Sequence, residues 1–161
     1  FYTCTVKVTL LQAGKTHFKF VDAGFDEFNK RLKHYCRFEH QLFELPTRLK
    51  TTDTTLVKKY EGELFLKKIQ PTDFVILLDE NGKTYHSVGF AEYIQKLQLH
   101  HAHVVFIIGG AFGFSDEMYQ RANAKLSLSA MTFSHQLIRL IFIEQLYRAF
   151  TIIKGEPYHH E

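Results

Sequence analysis

Residues 104–115 read VVFIIGGAFGFS, and this stretch decides the fold. Val104, Val105, Phe106, Ile107 and Ile108 are β-branched or aromatic, apolar at every position and too few for a helix, which is the pattern of a strand covered on both faces. Gly109 and Gly110 end the run, and Ser115 stands where a helix N-cap belongs, with Asp116 and Glu117 in a first turn that suits the positive end of a helix. A strand, a glycine turn and a helix start make a place where a ligand can approach the backbone. GGAFGF does not space its glycines as GxGxxG, so the stretch is not a dinucleotide fingerprint.

Toward the C-terminus, Lys125–Leu128 predicts a short strand, Ser129–Phe133 a loop, and Ser134 the cap of a helix running to about Lys154. Its apolar residues, from Leu137 to Ile152, surround the whole circumference when plotted at ~100° per residue. At roughly 20 residues it is long enough to span a bilayer, but Arg139, Glu144 and Arg148 lie inside it, and an isolated span tolerates such charges poorly. The expectation is therefore a helix packed on its own sheet by one flank and on a partner subunit by the other, in a symmetric homodimer. Gly155 and Pro157 end it, and the tail of Tyr158, His159 and His160 is expected to make few buried contacts and to be free to stack on an unpaired base.

Toward the N-terminus the same alternation repeats. Val6–Leu11 predicts a strand ended by Gly14, and Val21, Phe25, Phe28, Leu32 and Tyr35 recur at helical spacing. AGKT at residues 13–16 resembles the close of a phosphate-binding loop, but Thr9 stands where that loop needs its first glycine. Phe38–Leu45 predicts a second strand stopped by Pro46, Arg48–Thr55 a polar loop, and Leu56, Tyr60, Leu64 and Phe65 the inner face of a helix. The basic residues Arg48, Lys50, Lys58 and Lys59 suit either phosphate contact or a solvated surface. Phe74–Leu78 predicts another apolar strand, Asp79–Gly82 a turn, and Ser87 the cap of a helix carrying Phe90, Ile94 and Leu97. His100, His101 and His103 follow without a second ligand cluster at zinc spacing, so no metal site is predicted.

The order predicts one α/β domain over residues 1–161, a mostly parallel sheet with helices on both faces, and a ligand site beyond the carboxyl ends of its strands. A length of 161 residues suffices for one core, and a net charge of +3 is too mild for a protein that holds nucleic acid by charge alone. Cys4 and Cys36 form no CxxC, and neither a signal peptide nor a separate membrane span is visible, which favours reduced thiols and the cytoplasm. The sequence opens on Phe1 and not on methionine, which leaves open whether the native chain begins earlier.

Several segments together carry a resemblance. GGAFGFS, SLSAMTFSHQLIRL, EQLYRAFTI and EPYHHE, with TLLQAGKT, EGELFLK and LLDENGK collinear before them, resemble the RlmH family of SPOUT-class methyltransferases over nearly the whole chain. The sequence departs at Ala111, where that family often has proline, and this bears on the shape of the turn. The resemblance implies a C-terminal trefoil knot and methylation of a pseudouridine in large-subunit ribosomal RNA, in the subunit or the assembled ribosome, with S-adenosylmethionine as cofactor. It carries cofactor contacts onto Leu78, Gly109, Leu128, Ser129, Ala130, Met131, Thr132 and Phe133. No paired carboxylates and no Ser/His/Asp set are legible, so His135, Arg148, Tyr158 and His159 stand as candidates for proton transfer or charge stabilisation. Two other classes stay open: a non-enzymatic RNA-binding dimer, and a different α/β enzyme using a nucleotide.

Overall fold

The computed structural model describes residues 6–49 and 53–160, so Cys4 and Lys50 lie outside it. Five strands, β1 (Lys7–Ala13), β2 (Arg37–Phe43), β3 (Phe74–Lys83), β4 (His103–Ile108) and β5 (Ala124–Leu126), alternate with five helices. These are α1 (Lys19–Leu32), α2 (Thr54–Leu66), α3 (Ser87–His100), α4 (Asp116–Arg121) and α5 (Leu137–Ile153). The sheet runs in the order β2, β1, β4, β3, β5, with every strand pairing parallel.

Helices cover both faces, as the apolar runs require. Val8, Leu10, Ile76, Val104, Phe106 and Ile108 point to one face and pack against α1, α3 and α5. Leu11, Ala13, Val75, Leu77, Val105 and Ile107 point to the other and meet Phe65 of α2 and Met118 of α4. Side chains alternate along a strand, so neither face of β4 can be polar. Phe106 and Phe142 are fully buried with ring centroids 4.9 Å apart, and each such burial contributes roughly 1.5–3 kcal/mol.

Several expectations are corrected. α5 lies between α1 and α3 of its own chain, so both flanks meet helices of that chain, and the stripe Leu137, Ile141, Glu144, Gln145 and Arg148 stays outside the core. In α2 the inward residues are Val57, Glu61, Gly62 and Phe65 while Leu56 is exposed, because Gly62 lets the helix approach Ser115 and Met118 closely on that side. His86 occupies the N-cap position of α3, and the Ser87 hydroxyl donates to Gln145 Oε1 at 3.3 Å. β3 does not stop at Leu78: Asp79–Gly82 bulges, and Lys83 returns to pair with Leu126. β5 ends at Leu126, two residues short of the predicted strand. The tail is docked too. Tyr158 donates to Glu144 Oε1 at 3.0 Å and packs edge-on against Tyr147, and Tyr35 of the chain after α1 donates to Glu156.

Beneath α5 lies a polar patch within the apolar layer. His40 and the fully buried Gln12 sit on neighbouring strands, and His40 Nε2, both Gln12 amide atoms and Arg139 Nε find no hydrogen-bond partner among the described residues. Burial, reinforced by the Arg139 charge and opposed by Asp26 and Asp22, pushes the His40 imidazole down to about 4 from an ordinary 6.5. The folded state then binds fewer protons than the unfolded one between those values, so stability is complete above pH 6.5 and falls as pH drops toward 4. Urea titrations at pH 7 and pH 5 should show this loss, bounded at about 3 kcal/mol over the full window. His40→Phe should flatten it.

Candidate cofactor site

A cavity of about 450 Å³ opens beyond the carboxyl ends of β3, β4 and β5, where the sheet order places three loops side by side. Its size falls within the range of small-molecule sites, roughly 300–1,000 Å³. Leu78–Asn81 forms one wall, Gly109–Phe114 a second, and Ser127, Leu128, Ser129, Met131, Thr132 and Phe133 a third, with His135 and Ile138 at the start of α5. Seven of the eight predicted cofactor residues therefore line one cavity; Ala130 belongs to the same loop but lies off the wall.

Each wall is held by local bonds. In the second, Gly113 N–H donates to Gly110 O at 3.3 Å, and Gly113 adopts a φ of +84°, a left-handed conformation that favours glycine. A Cβ on Gly109 would stand 3.1 Å from the Phe114 ring, closer than ordinary van der Waals contact, so a side chain there presses on the ring across the turn. Ser115 caps α4 as expected, its Oγ accepting from Met118 N–H at 3.4 Å. In the first wall Asn81 N–H donates to Asp79 Oδ1 at 2.8 Å, which turns the bulge, and Tyr119 donates its hydroxyl proton to Asp79. Burial and Asp79 push the Tyr119 phenol up to about 12, which keeps that proton in place. Thr132 Oγ1 donates to Glu80 Oε2 at 3.3 Å and joins the third wall to the first.

The third wall passes into α5. Ser127 Oγ donates to Ser129 O at 2.8 Å, Met131 N–H to Ser129 Oγ at 2.9 Å, and Leu137 N–H to Ser134 Oγ at 3.1 Å, so Ser134 caps the helix from three residues before it. Gln136 anchors that corner, donating to Lys15 O at 2.8 Å and accepting from His17 N–H at 2.9 Å.

The four candidates for proton transfer separate. His135 lines the cavity, and burial, with Arg139 and His17 nearby, lowers its imidazole pKa and favours the neutral form. Arg148, Tyr158 and His159 cluster elsewhere: Arg148 Nη2 donates to Glu144 Oε1 at 2.6 Å, its guanidinium lies 4.8 Å from the Tyr158 ring centroid, and Nη1 is 3.2 Å from His159 Nδ1. Arg148 lies eleven helical steps beyond Leu137, a distance of roughly 16 Å at 1.5 Å per residue. Within one chain the two groups cannot serve the same reacting atom. Sequence reasoning missed Asp79, Glu80 and Tyr119 of the wall, whose acidic pair looked like part of a surface turn.

A parallel α/β sheet whose strand-end loops enclose a nucleoside-sized cavity defines a ligand-binding α/β protein, and comparison gives the family. The family described as "Predicted SPOUT methyltransferase" matches residues 6–159, and the chain belongs to it. Over 154 residues it is 50% identical to the ribosomal RNA large subunit methyltransferase H of Christiangramia forsetii, covering 95% of this chain and 98% of that protein. Proteins of the same name from Flavobacterium psychrophilum and Parabacteroides distasonis are 48% and 46% identical, each covering 97% of this chain and all of theirs. The chain is thus a SPOUT methyltransferase related along its length to enzymes of large-subunit ribosomal RNA.

Two strands cross closely beside the cavity at Gly82. A Cβ there would stand 2.6 Å from Leu126 N and 2.7 Å from Leu126 C and Lys125 C, all backbone atoms. Gly82→Ala must push β3 and β5 apart. Its expected cost is about 2 kcal/mol in urea unfolding, in the range of overpacked cores, with loss of ligand affinity because both strands carry cavity walls. Gly89→Ala, where the nearest atom is 3.8 Å away on Tyr85, should cost little and serves as the control.

Proposed function

We propose that this chain, as one domain acting in the cytoplasm, methylates a pseudouridine ring nitrogen in large-subunit ribosomal RNA with S-adenosylmethionine held in the strand-end cavity. The convergence of the three loops carries the reading: seven residues assigned to cofactor contact by resemblance alone line one cavity. The walls also fit the group. Leu78, Ile108, Leu128, Phe133 and Ile138 offer apolar surface, Gly109 and Gly110 open backbone, and Asp79 and Glu80 two carboxylates for a ligand of net positive charge. When bound, the cofactor supplies a methyl group on a sulfonium, which departs as a neutral thioether. The protein must align that methyl with the attacking nitrogen and receive the proton the nitrogen loses. In this reading His135, on the cavity wall and favoured as neutral imidazole, accepts it. Arg148, Tyr158 and His159 keep a role toward RNA, and a role at the reacting atom requires a second chain's cavity. Threading of the third loop and α5 as a trefoil knot belongs to the same reading.

Mass spectrometry of ribosomal RNA from cells with and without this protein tests the activity, and an unchanged RNA would overturn it. Calorimetry with S-adenosylmethionine should show binding to the wild type and at least tenfold weaker binding to Gly109→Val, whose side chain meets Phe114. RNA binding without cofactor binding would instead indicate the non-enzymatic dimer, and a preference for another nucleotide the other enzyme class.

The active form in this reading is a homodimer joined through exposed apolar residues of α1 and α5. Phe18 and Phe20 stack at 5.3 Å between centroids, Phe20 is 61% exposed, and Leu137 is 36% exposed at the matching end of α5. Gly24, one turn after Phe20, lies where a Cβ would be 2.7 Å from Leu140, which places Phe20 beside the start of α5. This apolar strip borders the cavity corner at Gln136 and suits self-association across a two-fold axis. Sedimentation at micromolar concentration should give a dimer for the wild type, and Phe20→Glu should shift it toward monomer. A wild-type monomer would remove the dimer and leave the activity standing.

A further inference from the structure

Glu61 is a buried acidic side chain with no part in the chemistry above. It sits on the buried stripe of α2, between Val57 and Phe65, where helical spacing calls for an apolar residue. It is 7% exposed, and its Oε2 accepts from Gly110 N–H at 3.3 Å. A Cβ on Gly110 would overlap Glu61 Oε1, so the carboxylate is pressed against the glycine backbone. Burial raises its pKa, and the Gly110 bond opposes that rise. Among the described residues no cation pairs with it, and a buried carboxylate so placed costs stability, which the Gly110 bond offsets only in part.

We infer that Glu61 is a positioning residue for methyl transfer: by accepting from Gly110 N–H it fixes the Gly109–Phe114 turn in the shape that receives the cofactor. The inference rests on the cofactor reading of the cavity. Gly110 is both a wall residue and the start of the bridge to Gly113, so its peptide plane sets where the neighbouring backbone groups point. Gly110 is free to rotate about its own bonds, and Glu61 supplies the restraint that a side chain at 110 would otherwise provide. The adjoining Gly62 has the same logic, since a Cβ there would stand 2.6 Å from Ser115 Oγ, the cap that follows the turn.

The test compares the full-length wild type with Glu61→Ala, Glu61→Gln and Glu61→Leu by calorimetry with S-adenosylmethionine, thermal melts and amide exchange at Gly110. Glu61→Ala should weaken cofactor binding at least tenfold, speed exchange at Gly110, and raise KM for the cofactor more than it lowers kcat. Glu61→Gln, whose amide oxygen can accept the same bond, should stay within threefold of the wild type. Glu61→Leu, which packs but cannot accept, should behave as Glu61→Ala, and it replaces that variant should Glu61→Ala not fold. Wild-type affinity in the alanine or leucine variant overturns the inference, as does a loss that tracks melting temperature and is not recovered by glutamine. A wild-type chain that fails to bind the cofactor overturns the reading of the cavity itself, a different result from bound wild type with no effect of Glu61.

Discussion

The structure depends on one buried guanidinium. Arg139, 1% exposed on the central helix α5, donates from Nη2 to Ala13 O and Gly14 O, each at 2.8 Å, and from Nη1 to Thr16 Oγ1 at 2.9 Å. Ala13 closes β1, where the chain turns away at Gly14 with a φ of +85°, and the two carbonyls left there need donors. Burial lowers the Arg139 pKa, yet guanidinium stays charged at neutral pH, so three oxygen acceptors must replace its hydration. One side chain thereby completes the end of β1 and fixes the height of α5 on the sheet. The position of His135 and Ile138 on the cavity wall follows from that height.

The same constraint explains what the sequence shows and what it hides. Apolar runs such as Val104–Ile108 announce strands buried on both faces, because alternation leaves no solvent side to encode. Arg139, by contrast, reads in sequence only as a charge unsuited to a bilayer; among the described residues no helix is long and apolar enough to cross a membrane. Two of its three partners are backbone carbonyls more than a hundred residues away, and backbone atoms leave no trace in composition. The bulge at Asp79–Gly82 escaped for a similar reason. Asn-Gly is a turn signal, and the Asx turn is present, but the return of Lys83 to Leu126 is a pairing between distant segments.

The docked tail shows competition between two local tendencies. Gly155 and Pro157 end the helix and favour an irregular tail, but Tyr158 carries apolar ring surface and a hydroxyl, and Tyr147 and Glu144 on α5 offer one partner for each. Helical spacing places Glu144 one turn before Arg148, so a single carboxylate receives both the guanidinium and the phenol. The site was legible in part. Strand ends and glycines point to the place, while the Leu128–Phe133 wall came from resemblance, since a serine-rich loop has no periodicity that marks it as a ligand wall.

Close approach is the remaining rule of the site. Gly62, Gly82 and Gly110 each stand where an added Cβ would collide with Ser115, the β5 backbone or Glu61. Each pairs one cavity wall with the element behind it: α2 with the helix cap at Ser115, β3 with β5, and the glycine turn with α2. A cavity whose walls belong to different strands keeps its shape only if those contacts leave no slack, and removing side chains at the crossings achieves that without filling the cavity. It follows that the acid behind Gly110 and the guanidinium behind Gly14 are two forms of one solution. In each, a side chain from a packed helix reaches the backbone at the carboxyl end of a strand, an acceptor for the N–H after β4 and a donor for the carbonyls after β1.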